Sequence, residues 1–359
     1  AKSPAKTRVL DNLGSAYAAQ NRLDEAIGKY SAALTANPDF AVTYYNRGLA
    51  YSRKGDFKRA VEDYSRAISQ EPGRNARYYA DRGSAYAKLE KWDLALEDYE
   101  KALSVDPSAA NTYYNRAVVF EAGGQKDRAM ADYSKALELA PNLTGARERR
   151  AGYYLEKREF DKAVQEYTRG LAADPNSDIL RLNRGFALAS LGQHQKAIED
   201  FSEAITLNPG AAEAFAKRGL SYAGLGQFDR AINDYTRAIS LMPDYAEAYN
   251  NRGLAYASQG QYEKAVKDYD RAISLKQDNF DAYLNRGVSF ALGKKYSEAV
   301  SDFSKVVRLA PGDSRGYANR GFANYSRGAI REALPDLRKA CSLGFQNACG
   351  LLQTVRQVR

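Results

Sequence analysis

Few residues in this 359-residue chain have types and spacing that could carry chemistry. His194 is the only histidine, and Cys341 and Cys349 are the only cysteines. A lone imidazole with no nucleophile or ligand spacing around it makes no acid–base or metal constellation. Two cysteines make neither a disulfide framework nor a metal cluster. Charged groups recur instead. Nine arginines (Arg47, Arg82, Arg116, Arg150, Arg184, Arg218, Arg252, Arg286 and Arg320) are accompanied by nine carboxylates: Asp63, Asp98, Asp132, Glu166, Asp200, Asp234, Asp268, Asp302 and Asp336. Guanidinium groups matched one for one by acids are expected to form bidentate pairs. They are therefore scaffolding rather than a binding stripe, and Arg47–Asp63, Arg218–Asp234 and Arg252–Asp268 represent the set.

The residue before each arginine poses a different question. Asn46, Asn115, Asn183, Asn251, Asn285 and Asn319 are amides, and Asp81, Arg149 and Lys217 keep the column polar. Asparagine is a poor helix former because its side chain competes with the backbone, and nothing in packing a helical hairpin asks for it. An amide does supply donors and an acceptor, enough to bond the main chain of an extended peptide whatever its sequence.

These columns repeat because the whole chain does. The residue after the arginine column, which holds Leu13 in the first unit, is small at Gly14, Gly48, Gly83, Ala117, Ala151, Gly185, Gly219, Gly253, Gly287 and Gly321, with spacings of 34 residues and one of 35, between Gly48 and Gly83. Alanine stands twelve residues further on, from Ala26 to Ala333, and four beyond it an aromatic, with Leu337 the exception. Proline closes eight of the ten units, from Pro38 to Pro311. Within a unit, Tyr44, Gly48 and Tyr51 mark one face of a first helix, and Gly55 supplies a left-handed break. Phe57, Ala60, Tyr64, Ala67 and Ile68 line one face of a second helix, which Pro72 ends. One such hairpin cannot bury its face alone, so the hairpins must stack.

Composition sets the bounds. With 44% hydrophobic and 27% charged residues the chain is globular rather than disordered. No run approaches the roughly 18–20 apolar residues of a membrane span. The net charge is +9, and from Ser314 onward eight Lys/Arg face two Asp/Glu, which reads as a solvated basic end. His194 falls in a turn column filled elsewhere by Phe57, Trp92, Phe160 and Phe228, so it is expected to pack. Cys341 falls in an aliphatic core column; with Cys349 nearby, the two could bridge in an oxidising compartment. The chain begins AKSPAK without methionine, as a processed or trimmed protein would, which leaves cytoplasmic and bacterial extracytoplasmic locations both open.

The period and the small, aromatic and proline columns resemble the tetratricopeptide repeat family across residues 7–345. The resemblance implies an all-α, right-handed α-α superhelical solenoid of ten helix-turn-helix repeats. Residues 1–6 are then a flexible segment and 346–359 a capping helix, with Leu351 and Val355 at its apolar positions. Where this chain has arginine the family more usually has leucine, as at Leu13. The resemblance also turns the asparagine column into a concave groove, whose residues would be Asn46, Asn115, Asn183, Phe186, Lys217, Leu220, Asn251, Leu254, Asn285, Val288, Asn319 and Phe322. The function it implies is a non-catalytic protein–protein interaction scaffold that binds an extended peptide or helix of a partner protein. No cofactor, metal, small-molecule substrate or nucleic acid is expected. Chaperone-binding relatives grip a C-terminal carboxylate with a lysine just before the asparagine column and an asparagine three residues after it; this sequence has neither. Two alternatives come from other classes: the recognition arm of a larger enzyme such as a glycosyltransferase, or nucleic-acid binding through Arg327, Arg331, Arg338 and Lys339, with steep salt dependence. The fifth unit, GARERRAGYYLEKREF, breaks the pattern with Arg147, Glu148 and Arg149, as either a soft joint or a charged recognition spot.

Overall fold

A computed structural model of the chain describes residues 4–357, with side chains for 5–353. All its regular structure is helical, and the chain divides into two compact units, Ala1–Asp174 and Pro175–Arg359. The first unit opens with α1 (Pro4–Ala19) and α2 (Leu23–Ala36), then α3 (Ala41–Arg53) and α4 (Phe57–Gln70). It continues with α5 (Ala76–Lys88) and α6 (Trp92–Val105), α7 (Ala110–Ala122) and α8 (Lys126–Leu139), and α9 (Thr144–Glu156) and α10 (Phe160–Ala173). The second unit holds α11 (Asp178–Ser190) and α12 (His194–Leu207), α13 (Ala212–Gly224) and α14 (Phe228–Leu241), and α15 (Ala246–Ser258) and α16 (Tyr262–Leu275). It ends with α17 (Phe280–Leu292) and α18 (Tyr296–Leu309), α19 (Ser314–Ser326) and α20 (Ile330–Ser342), and a closing α21 (Gln346–Gln357).

Each hairpin turns through three residues, the middle one left-handed. Gly55, Gly124, Gly192, Gly226, Gly260 and Gly328 hold φ between 72° and 82° there. Asn21, Glu90, Arg158 and Lys294 adopt the same conformation at φ 58–60° with a side chain attached. The turn shape thus comes from the packing of the two helices, and glycine only makes it cheaper.

The core of each hairpin is a contact between a small residue and a ring, with Leu337 in place of the ring in the last. A Cβ built on Gly48 would lie 2.7 Å from Cε1 of Tyr64, and one on Gly219 would lie 2.9 Å from Cε1 of Tyr235. Only a missing side chain lets the first helix lie this close over the ring. The alanine column, from Ala26 to Ala333, and the rings of Tyr64, Tyr99, Tyr235, Tyr269 and Phe303 are fully buried beneath it.

Two features of the ends differ from expectation. Pro4 opens α1, so residues 4–6 are helical, as suits a proline at a first helical position, where its missing N–H is no loss; residues 1–3 lie outside the described residues. In α21 the residues that bury are Ala348 and Leu352, with Leu351 only half-buried. The helix is therefore rotated from the expected phase, and the side chain of Val355 lies outside those described, as do residues 358 and 359. Cys341 at the end of α20 and Cys349 in α21 form a disulfide, with Cα atoms 4.9 Å apart. It ties the closing helix to the last hairpin.

Since Lys294 occupies a left-handed turn that glycine fills in six other hairpins, Lys294→Gly should stabilise the second unit by roughly 0.5–1 kcal/mol, the left-handed penalty less glycine's extra chain entropy. A urea titration followed by far-UV circular dichroism checks this as a higher midpoint.

Candidate functional site

The arginines sit on the first helix of every hairpin but the first and meet the acid of the second helix sixteen residues later. Arg47 donates Nε to Oδ2 and Nη2 to Oδ1 of Asp63, both at 2.8 Å. The same two-pronged contact joins Arg82–Asp98, Arg116–Asp132, Arg184–Asp200, Arg218–Asp234, Arg252–Asp268, Arg286–Asp302 and Arg320–Asp336, at 2.6–2.8 Å. The carboxylates are buried and the guanidinium groups half-buried. Hydrogen bonding to Asp234 raises the Arg218 guanidinium above its ordinary range, burial working against it.

The third arginine nitrogen does something the sequence columns do not state. Arg47 Nη1 donates to Ser31 at 3.0 Å, Arg82 to Ser65 at 3.0 Å and Arg150 to Ser134 at 3.2 Å. In the second unit, Arg218 reaches Ser202 at 3.0 Å, Arg252 reaches Thr236 at 3.0 Å and Arg320 reaches Ser304 at 3.2 Å. Arg286 makes the same contact with Asp270 at 2.5 Å. Each acceptor belongs to the second helix of the preceding hairpin. Except at Arg150, each of these guanidinium groups clamps its own hairpin with two arms and staples it to the previous one with the third. The signal was in the sequence: Ser31, Ser65, Ser134, Ser202, Thr236 and Ser304 all directly follow the aromatic column.

The fifth hairpin departs from this geometry, as its sequence does. Glu166, one methylene longer than aspartate, accepts from Arg150 Nη2 at 2.8 Å, Arg169 at 3.3 Å and Arg147 at 3.4 Å. Nε of Arg150 is buried without a hydrogen-bond partner. Arg149 instead faces Glu121 at 3.5 Å.

The asparagine column does have structural duties, contrary to expectation. In the first unit Asn46 Nδ2 donates to both oxygens of the buried Asp11 at 3.2 and 3.3 Å, and Asn115 donates to Ser84 at 3.4 Å. Asp81, in the same column, accepts from the Tyr45 hydroxyl at 2.7 Å. Burial pushes the Asp81 carboxyl above the usual range, although Tyr45 and Arg77 pull the other way. In the second unit Asn285 donates to Asn250 at 3.2 Å, and Asn319 donates to the Arg315 carbonyl of its own helix at 3.0 Å. Lys217 pairs with Glu213 at 3.2 Å and lies 4.8 Å from the centre of the Phe186 ring. Asn183 has no hydrogen bond among the described residues, and Asn251 only accepts one, from Asn250 at 3.4 Å.

The apolar column beside these amides divides in two. Phe186, Leu220 and Leu254, on the first helices of three successive hairpins, are 38%, 52% and 48% exposed. Val288 and Phe322 are half-buried in the hydrophobic clusters of their own hairpins, Phe322 with its ring 6.3 Å from that of Phe345. His194 is half-buried, its imidazole 2.9 Å from where a Cβ on Gly224 would stand, so it packs across the next hairpin. No group of three or more His, Cys, Asp or Glu among the described residues is placed to hold a metal ion, and no helix there is long and apolar enough to cross a membrane.

Tandem helix hairpins stacked on small residues, with exposed side chains repeating along their first helices, define a repeat scaffold of the α-solenoid class. Comparison with known proteins gives the family. Models described as tetratricopeptide repeat match residues 41–73, 110–143, 180–210, 246–279 and 281–313, and one described as TPR repeat matches 14–55, 83–124 and 224–260. The chain belongs to the tetratricopeptide repeat family, whose members are generally non-catalytic scaffolds, and its role is of the general protein-interaction kind. Among solved structures it is similar to PilW, a type IV pilus biogenesis factor, with 20% identity over 57% of this chain and 96% of that one and a TM-score of 0.52. It is also similar to yeast Tom70 (17% identity, 98% and 96% covered, TM-score 0.49). A third is YrrB, a TPR protein with an unusual peptide-binding site (28% identity, 52% and 96% covered, TM-score 0.47).

Two outcomes follow from the polar contacts. Removing either Arg218 or Asp234 alone should cost about 3 kcal/mol, the low end for a buried pair because Arg218 keeps 19% of its side chain exposed. The Arg218→Leu/Asp234→Leu double variant should lose clearly less than the sum, and Ser202→Ala alone about 1 kcal/mol. Chemical denaturation of the four variants measures this, and additive losses would show that the pair does not interact. For Asp81, the raised folded carboxyl makes ionisation a cost to the fold. Stability should therefore fall as pH rises from the ordinary aspartate range through the raised one, then level off. Asp81→Asn should remove that component and be more stable at neutral pH, as seen in melting temperatures across the acid-to-neutral range.

Proposed function

We propose that the second unit binds a segment of a partner protein, an extended peptide or a helix, along the first-helix faces of α11, α13 and α15. The observation that carries this reading is the exposure of Phe186, Leu220 and Leu254 at one equivalent position in three consecutive hairpins. Single exposed apolar residues are ordinary on a protein surface. Three aligned at the repeat spacing form a stripe, and the same position is serine in the first and third hairpins, at Ser15 and Ser84. The fold therefore does not require a large apolar side chain there. Burying the exposed half of each against a partner would contribute about 1 kcal/mol.

The amides next to the stripe divide by their hydrogen bonds. Asn183 and the Nδ2 donors of Asn251 are available to a ligand backbone, whereas Asn285 and Asn319 would first have to give up the bonds they make within the chain. The binding face is thus shorter than the column from Asn183 to Asn319, with Phe186 and Leu254 at its ends.

Leu220→Ser combined with Leu254→Ser should weaken partner binding about tenfold or more while leaving the helical content unchanged. The location is tested by a photo-crosslinking amino acid placed at Leu220, at Leu254 or, as a control, at Leu207 at the end of α12, which is also exposed. Cross-links to one partner from the first two positions only are expected. Equal yields from Leu207 would overturn the assignment.

A further inference from the structure

The first unit has a cleft that its repeat pattern does not predict. It holds about 280 Å³ between α7, α8 and α9, and its floor is Met130, Ala129 and Tyr133. The opening is made by an omission. Gly152 stands where other hairpins of this unit place Leu49 or Val118, and a Cβ built on it would meet nothing within 4 Å. A helix-interior glycine with open space in front of it is not there for close packing, unlike Gly48 or Gly219.

The charges around the mouth are unevenly committed. Lys126 is held by both oxygens of Glu156, at 2.5 and 2.6 Å. Arg149 faces one oxygen of Glu121 at 3.5 Å, and the Tyr133 hydroxyl donates to the other at 2.6 Å. Glu148 makes no hydrogen bond or ion pair among the described residues. Tyr153, on the wall, donates its hydroxyl to Asp127 at 3.0 Å, and Lys157 lies over its ring at 5.5 Å without joining the lining. Both lining cations are therefore matched, and the unmatched charge is a carboxylate. An anionic ligand would meet Glu148 and two already occupied cations. A purely apolar one would strip water from Glu148 with nothing in return.

We infer that this cleft is a pocket for one cationic side chain, lysine or arginine, of a partner segment. The aliphatic stem lies against Met130 and the Tyr133 ring, and the charged head stands at Glu148. Such side chains bury their stems and keep the head near water, and Glu148, which lines the cleft, is itself exposed to solvent. A volume of about 280 Å³ is at or below the lower limit for small-molecule sites and suits a single side chain. The pocket lies in the first unit and the apolar stripe in the second, so either proposal can fail without the other.

The chain has two methionines, Met130 in the cleft and Met242 in the second unit, which provides a two-signal experiment. The full chain is labelled with methyl-13C methionine and titrated with the Nα-acetyl, N-methylamide derivatives of lysine, arginine, norleucine and glutamate. A saturable shift of the Met130 methyl with lysine and arginine, weaker or absent with norleucine and absent with glutamate, and with Met242 unmoved, is the expected result. Glu148→Gln should weaken the lysine response about two- to fivefold, the range of an exposed ion pair, and make it less sensitive to salt. Gly152→Leu should abolish it; leucine at an open helical position favours the helix, so folding is not at risk. Norleucine binding as well as lysine, a preference for glutamate, a response surviving Gly152→Leu, or no shift with any of the four would each overturn the proposal.

Discussion

Everything in this fold leans on the planar fork of one side chain. A guanidinium presents its donors at fixed angles, and here two arms take the carboxylate of the facing helix while the third reaches the hairpin before. The residue after each arginine is the small one, and the residue after each acid is the ring it covers, or Leu337 in the last hairpin. The ion pair and the glycine–aromatic contact are therefore one contact between two helices, a polar half beside an apolar half. Arg218 with Asp234 and Gly219 with Tyr235 show both halves in adjacent residues. Desolvation offsets much of what such a pair gains. Its role is to permit one helix register: a slip of one residue would strand a buried carboxylate and push a side chain into the ring.

The sequence made the hairpins, their period and the pairing of arginines with acids readable, because each rests on one position repeated nine or ten times. It hid what depends on two columns meeting across hairpins. The serines after the aromatics look like ordinary solvent-facing residues until Arg47 Nη1 is seen on Ser31. Asn46 looked idle because its partner, Asp11, stands 35 residues away in another column. The rotation of α21, which buries Leu352, could not be read because that helix has no partner of its own to set its phase. The exposed state of Leu220 and the half-buried state of Phe322, identical in column, differ because Phe322 is covered by Phe345.

The two units carry the same scaffold with different faces. In the first, the positions beside the arginine column bring Asn46 to Asp11 and Tyr45 to Asp81, and Tyr133 meets Glu121 further on. In the second, the corresponding helices offer Phe186, Leu220 and Leu254 next to amides, with Lys217 drawn onto a ring. The arginine clamps fix the backbone so fully that the neighbouring positions are free to vary from acid and tyrosine to amide and leucine. That division of labour, one invariant column and one variable beside it, is how a repeat scaffold acquires specificity without altering its fold.

One irregularity shows where the scaffold can yield. The interval from arginine to acid is sixteen residues in all nine hairpins that carry the pair, but the interval back to the preceding hydroxyl is seventeen at Ser65–Arg82, and the hydrogen bond still closes at 3.0 Å. The surplus residue sits in the Glu71–Asn75 connection, which absorbs it with a left-handed Gly73. The connections between hairpins are therefore the chain's expansion joints, whereas the three-residue turns inside hairpins act as a fixed gauge. A guest loop spliced in at Gly73 would leave every fork in phase, while one spliced in at Gly55 would pull Arg47 away from Asp63.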